Sequence, residues 1–324
     1  MLTYSIAIRT LGKSGELFRE ELLSIALQTV QPERVLVYIA EGYARPEFTV
    51  GREEYVWVEK GMVAQRIRPY DEISSDVILM LDDDVRLASD SAERMLKMME
   101  QHRADCVGAD VFKNQDMAFA AKCYAAVTNL VFPHWGKKWA FRIRCNGSFS
   151  YNARPQNRFY WSQSCGGPVL MWRKATYRLL HLEEERWLDE LPFAYGDDMV
   201  ESYKVYKNGF RLGVLYDAGC EHLDGRSSSG DFRTGPQWLF TRTMASFVIW
   251  WRTIFQTTRR ASVERGVTVG CFVLKVIWVF FVLCGVSVAK CSARPVISYV
   301  KGLNAGWKFV HTERFLALNS FILR

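Results

Sequence analysis

The eight cysteines of this 324-residue chain form no Cys-x-x-Cys pair and show no zinc-ligand spacing with the five histidines. That excludes the common structural-zinc and dithiol frameworks and leaves them as small apolar core residues of a reducing compartment. The opening, Met1-Leu2-Thr3-Tyr4-Ser5-Ile6-Ala7-Ile8-Arg9, lacks the basic start and long apolar run of a signal peptide and reads as an immediate strand. Internal repeats, low-complexity segments and nucleic-acid-binding motifs are absent, so no nucleic acid partner is expected. Acidic residues are scarce in one region only. Residues 232–324 hold 13 Lys or Arg against 2 Asp or Glu, a balance of +11, whereas residues 1–231 hold 29 against 33, a balance of −4. The overall +7 therefore belongs to the last part of the chain.

What is present is a core-forming composition, 49% hydrophobic and 24% charged, arranged in alternating strands and helices. Tyr4 to Arg9 reads as a strand, Gly12 to Gly15 as a turn, and Glu16 to Val30 as a helix ended by Pro32. Val35 to Ile39 is an apolar strand covered on both faces, Tyr55 to Val58 a further strand, Val77 to Leu81 another buried run, and Ser89 to His102 a helix. This alternation predicts an α/β domain with a mainly parallel sheet flanked by helices. Between Cys123 and Trp161, Trp135, Trp139, Phe141, Phe149, Tyr151, Phe159, Tyr160 and Trp161 are interleaved with basic residues. That segment is read as a connection or hairpin walling a substrate cleft. Glu183-Glu184-Glu185 is read as a solvated helix face.

Directly after the strand ending at Leu81 stands Asp82-Asp83-Asp84. Adjacent carboxylates repel, and they sit where parallel sheets bind ligands. In an extended segment Asp82 and Asp84 address one side while Asp83 turns away or hydrogen-bonds locally. A hard divalent ion fits them; a solvated turn capping the next helix is the alternative. Further on come Cys165-Gly-Gly-Pro-Val-Leu-Met-Trp-Arg-Lys, then Phe193-Ala-Tyr-Gly-Asp-Asp-Met-Val-Glu-Ser-Tyr-Lys, and finally Cys220-Glu-His222. In this order, over roughly residues 3–225, the chain resembles a family 2 glycosyltransferase of the GT-A (Rossmann-like) fold, of the bacterial-polysaccharide type.

The resemblance implies that Asp82 and Asp84 hold Mn²⁺ or Mg²⁺ on the donor diphosphate, with His222 completing the metal shell. It implies that Asp198 is the catalytic base, although Asp197 stands where the family more often has Glu. It places Arg9, Thr10, Glu41, Arg66 and Asp83 at the nucleotide. Ala40-Glu41-Gly42-Tyr43 replaces the family's usual Asp-Asp-Gly-Ser, so the base is open, with a UDP-sugar favoured. The implied activity is inverting, metal-dependent transfer from a nucleotide sugar to a saccharide or lipid-linked saccharide in surface polysaccharide synthesis. A nucleotidyltransferase, or a non-catalytic membrane-bound saccharide-binding protein, is the alternative.

Beyond Gly235 the chain turns apolar and basic. Val267 to Ala289 is interrupted by one charge, Lys275, and flanked by Arg242, Arg252, Arg259, Arg260, Arg265, Lys290, Arg294, Lys301 and Lys308. A division into residues 1–231 as the transferase domain and 232–324 as a membrane-associating helical region is expected. The tail would lie peripherally or monotopically on the cytoplasmic face of the membrane; a true span and a buried soluble helix are the alternatives.

Overall fold

A computed structural model describes residues 2–111, 123, 126–127, 132–134, 138–152, 154–223, 235–259 and 262–323. Trp135, Arg260 and the expected division at 231/232 lie outside these residues. In chain order the elements are β1 (Tyr4–Thr10), α1 (Glu16–Ala26), β2 (Val35–Ala40), β3 (Glu53–Val58), β4 (Val77–Asp82), β5 (Val85–Leu87), α2 (Ser91–His102) and β6 (Cys106–Ala109). There follow β7 (Phe132–His134), β8 (Phe141–Ile143), β9 (Phe149–Asn152), β10 (Phe159–Trp161), β11 (Val169–Arg173) and α3 (Lys174–Leu179). A 3₁₀ segment, Leu182–Glu190, leads to α4 (Asp197–Lys207), β12 (Leu212–Leu215) and β13 (Cys220–His222). The tail is α5 (Gly235–Trp250), continued by a π-turn at Trp251–Phe255, then α6 (Val263–Ala289), α7 (Arg294–Val310) and α8 (Glu313–Leu316).

Eight strands form the central sheet in the order β10-β12-β6-β11-β4-β1-β2-β3. β3, β2, β1 and β4 run parallel, as do β6 and β12, while β11 lies antiparallel between β4 and β6. The sheet is thus mixed and mostly parallel. Every residue of β2 is buried, as two covered faces demand. Alternate residues supply the two faces. Ile6, Ile8, Val37 and Leu79 pack with Phe18 and Leu22 of α1 and Met95 and Met99 of α2. Ala7, Leu36, Met80 and Trp172 pack with Tyr177 of α3 and Val200 of α4, in a cluster that continues into Met244, Val248 and Trp250 of α5 and into Phe315 and Phe321. The first tail helix is therefore part of the layer that covers one face of the sheet.

Three readings are corrected here. Helix α1 ends at Ala26 rather than Val30, because the Gln28 and Gln31 side chains donate to the last carbonyls, Ser24 O at 3.0 Å and Ala26 O at 3.2 Å. Only Cys106 and Cys165 are buried; Cys220, Cys271 and Cys284 are half-buried, Cys123, Cys145 and Cys291 are exposed, and all eight are free thiols. Glu185 is not solvated. The three-residue period of the 3₁₀ segment turns it inward while Glu183 and Glu184 stay outside.

Buried Glu185 ties the tail to the domain. Its carboxylate accepts from Arg252 Nη2 at 2.8 Å and Nε at 3.0 Å, from Lys204 Nζ at 2.9 Å and from Trp187 Nε1 at 2.7 Å. All three charged side chains are within 2% of full burial. Helix α7 crosses α5 at Gly302 and Gly306, one helical turn apart, where an added Cβ would lie 2.7 Å from Phe240 O and 3.0 Å from Phe247 Cδ1. Removing one member of a buried ion cluster leaves an uncompensated charge, so Glu185→Gln is expected to lower the unfolding free energy by about 3–5 kcal/mol. Urea unfolding of the full chain in micelles checks this, and a loss of less than about 1 kcal/mol, the scale of a surface pair, would contradict it.

Candidate active site

The C-terminal ends of β1, β2 and β4 form one edge, the place where α/β sheets present residues to ligands. Register puts Arg9 of β1 beside Asp82 of β4. The Arg9 Nε donates to Asp82 Oδ1 at 2.7 Å, and its Nη1 donates to Met62 O at 2.7 Å. A second guanidinium arrives from the turn at Val63–Ile67: Arg66 Nη2 donates to Asp82 Oδ1 at 2.6 Å and Nη1 to Asp197 Oδ2 at 3.1 Å. Arg9 Nη1 reaches the same Asp197 oxygen at 3.5 Å. Two arginines thus clamp two carboxylates whose positions in the chain are 115 residues apart. Burial works against ionisation of Asp82, yet Arg9 and Arg66 hold it well below the usual carboxylate range.

Arg66 is buried because its turn is braced on both sides. The Asp189 carboxylate accepts from Val63 N at 3.0 Å and Ala64 N at 2.7 Å, and Gln65 Nε2 donates to Thr10 O at 2.9 Å and Tyr38 O at 3.2 Å. The glycine pair before β11 leaves room for it: a Cβ on Gly167 would lie 2.6 Å from Arg66 Nη1 and 3.1 Å from Asp198 Cβ. Neither brace has a local signal in the sequence, since Asp189 and Gly167 act on residues more than a hundred positions away.

Thr10 and Asp83 bond each other, Thr10 Oγ1 donating to Asp83 Oδ2 at 2.5 Å, both buried. Burial pushes Asp83 upward, and the Thr10 bond opposes it. Asp83 thus takes the local role that alternation gives it, while Asp82 and Asp84 turn to a common side. Strand β13 pairs with β5 so that His222 stands opposite Val85, which brings His222 Nε2 to 3.1 Å from Asp84 Oδ1. One ligand atom from each of Asp82, Asp84 and His222 lies within 4.8 Å of the others. Two carboxylates and an imidazole from two segments are a donor set that fits a divalent ion. Beneath them, burial and then the charges of Asp83, Asp84 and Asp82 push the Glu21 carboxyl well above its usual range. Glu41 stands apart: it is exposed in the turn after β2, its backbone N bonded to Val58 O.

Asp197 and Asp198 open α4, where the N-terminal end of the helix favours anions. They differ in surroundings. Asp197 is buried against the two arginines, whereas Asp198 lines a chamber of about 210 Å³ with Phe141, Phe149, Tyr195, Arg242 and Lys275. Burial, and then the neighbouring Asp197, push Asp198 up to about 6 against the pull of Arg66. Burial likewise pushes Glu201, one turn further along α4, up to about 8. Phe141 and Phe149, from the aromatic segment, form the wall expected of it; β7, β9 and β8 make a small sheet of their own.

Residues 37–150 match the family described as Glycosyl transferase family 2, a stretch that includes Arg66 and Asp82 to Asp84. No curated protein matches the chain. Among solved structures, S. aureus TarS 1–349 in complex with UDP-GlcNAc is 14% identical over 98% of this chain and 84% of that one, with a TM-score of 0.51. GalNAc-T7 with UDP, GalNAc and Mn²⁺ is 11% identical over 86% of this chain and 56% of that one, with a TM-score of 0.48. The family match falls on strands that build the acidic edge, and the first of these structures shares the fold of the chain; together they support a family 2 glycosyltransferase of GT-A-like fold.

Proposed function

We propose that the chain is a family 2 glycosyltransferase, metal-dependent and inverting, moving a sugar from a UDP-sugar to a saccharide or lipid-linked saccharide acceptor at the cytoplasmic face of a membrane, in building a surface polysaccharide. The observation that carries the reading is the division of labour between Asp197 and Asp198. The first is neutralised by Arg66 and Arg9, and the second faces a chamber with its carboxyl shifted to about 6. A carboxylate near that value accepts the proton of a sugar hydroxyl as the bond to the anomeric carbon forms. A single base acting from the acceptor side fits direct displacement, hence inversion.

Asp82, Asp84 and His222 would hold Mn²⁺ or Mg²⁺, which when bound neutralises charge on the departing diphosphate. Arg9 and Arg66 balance Asp82 and Asp197 at the same edge, and their buried, braced geometry fixes the position of the Asp82 carboxylate. The UDP-GlcNAc in the TarS structure supports a UDP-sugar donor. Membrane attachment is supported by α6. Its 27 residues are long and apolar enough to cross a bilayer, and Leu274, Trp278 and Phe281 on its outer side are 67%, 50% and 65% exposed. Basic residues at both ends of that helix suit an anionic leaflet. A role in surface polysaccharide synthesis rests on the combination of that tail with the fold.

Asp198→Asn is expected to lower kcat at least about 100-fold while UDP binding persists, and the wild-type product is expected to carry the anomeric configuration opposite to the donor's. Turnover by the variant, or a retained configuration, overturns the mechanism. The pH profile follows from the sign of the shift. Asp198 must be ionised to accept a proton and is protonated below its raised value, so kcat/KM should climb with pH to a half-point at about 6 and then level. An unperturbed aspartate would put that point near about 4. His222→Ala is expected to raise the Mn²⁺ concentration for half-maximal activity about 10–100-fold, within the range for loss of metal-site support; an unchanged metal titration excludes His222 from the site.

A further inference from the structure

Helices α5, α6 and α7 enclose a second, larger cavity of about 560 Å³. Its walls are apolar over most of their length, with Phe272, Val276, Val279, Leu283 and Leu303 among them, and among the described residues no acidic one lines it. It adjoins the Asp198 chamber, with Arg242, Ser246 and Lys275 lining both. Two cations therefore stand at the joint between an apolar trough and a chamber that holds the proposed base.

Neither cation is placed like a membrane-facing charge. Lys275 interrupts the apolar run of α6, but its Nζ turns inward and donates to Asn146 O at 3.2 Å. Arg242 lies over the Tyr195 ring, its Cζ 5.6 Å from the centroid, three residues before Asp198. A cation in an apolar helix is expensive unless it serves a pathway or a ligand. At the other end of the trough stand Lys290 and Arg294, exposed where α6 gives way to α7. The fifteen residues from Lys275 to Lys290 correspond to about 22 Å of helix, so the apolar stretch is long and narrow.

We infer that the acceptor is a saccharide joined through phosphate to a long hydrocarbon chain, with the phosphate between Arg242 and Lys275, the saccharide in the Asp198 chamber and the hydrocarbon in the trough. The order along the cavity matches the order of chemical groups in such a molecule. An apolar chain fits the trough walls, an anion fits the paired cations, and the acceptor hydroxyl meets Asp198. A free polysaccharide would leave the trough unused and offers no anion for the joint. The outer face of α6 lies against the leaflet that supplies the lipid, so the substrate enters sideways from the membrane. This deepens the proposed function and rests on Asp198 being the base.

The test uses the full-length protein in nanodiscs and a decyl phosphate carrying a diazirine on its alkyl chain. Photolabelling is expected on peptides of α6 and α7, and it should be competed by decyl phosphate but not by inorganic phosphate or decanol. Arg242→Gln and Lys275→Met should each weaken competition by decyl phosphate at least tenfold, while UDP with Mn²⁺ still raises the melting temperature as in the wild type. A bulky plug, Val279→Trp, should remove labelling with both cations intact, which separates the trough from the fold of the joint. Competition by decanol equal to that by decyl phosphate, or by inorganic phosphate alone, overturns the phosphate assignment. Labelling elsewhere overturns the trough. UDP binding without trough labelling refutes the lipid-phosphate acceptor alone, whereas loss of UDP binding in the wild type refutes the transferase reading itself.

Discussion

Two guanidiniums holding two carboxylates are the constraint on which the rest of the site depends. Without Arg9 and Arg66, the edge would gather Asp82, Asp83, Asp84, Asp197, Asp198 and Glu201 in a partly buried space, and like charges there would force protonation or separation. With them, Asp82 is held ionised and both Asp82 and Asp197 become fixed points. The β-sheet register supplies Arg9 and Asp82, the turn at Val63–Ile67 supplies Arg66, and the start of α4 supplies Asp197. Each of those segments is pinned by the same ion cluster that it helps to build. An isolated pair at this depth would barely offset its desolvation, but a two-by-two arrangement with bonds to Met62 O leaves fewer donors unmatched.

That clamp also separates neighbours in sequence into different chemical roles. Asp197 and Asp198 are adjacent, both at a helix N-terminus, and still meet different fields. The arginines stand on the Asp197 side, so Asp198 feels burial and the negative charge of its neighbour more strongly than positive compensation. Environments that push paired carboxylates apart mark acid–base assignments. Burial and neighbouring carboxylates push Glu21 and Glu201 the same way, well above the usual range for Glu21 and up to about 8 for Glu201.

The elements that were legible in the sequence are those with a local cause. Uninterrupted apolar runs such as Val35 to Ala40 report a strand covered on both faces, and Asp82-Asp83-Asp84 directly after such a strand reports the acidic edge. Asp198 and His222 were reached through the order of motifs, and β13 pairing with β5 does place His222 beside Asp84. The partners of those residues were not legible. Arg9 and Asp82 are 73 positions apart, Arg66 and Asp197 are 131 apart, and Asp189 braces a turn 125 positions away. Such contacts are consequences of topology and leave no periodicity to find. Glu185 was misread for a related reason: three consecutive glutamates look uniform, and only a 3₁₀ turn against Arg252 and Lys204 distinguishes the third.

The basic tail shows why a count of charges is a weaker statement than their placement. Its excess of +11 suggests a uniformly cationic surface. Yet Arg252 is sealed against Glu185, and Arg242 and Lys275 line internal cavities, so these three cations point into the protein. Lys290, Arg294, Lys301 and Lys308 are exposed and remain free to meet an anionic surface. The inward groups lie on α5, the π-turn and α6 and the outward ones just past α6 and on α7, since α5 covers the sheet with one side while α6 and α7 close on its other side around the trough. A tail built this way cannot be an anchor independent of the catalytic domain. The packing that seats it on the sheet also sets one wall of the Asp198 chamber, through Arg242, Ser246 and Ile249 of α5.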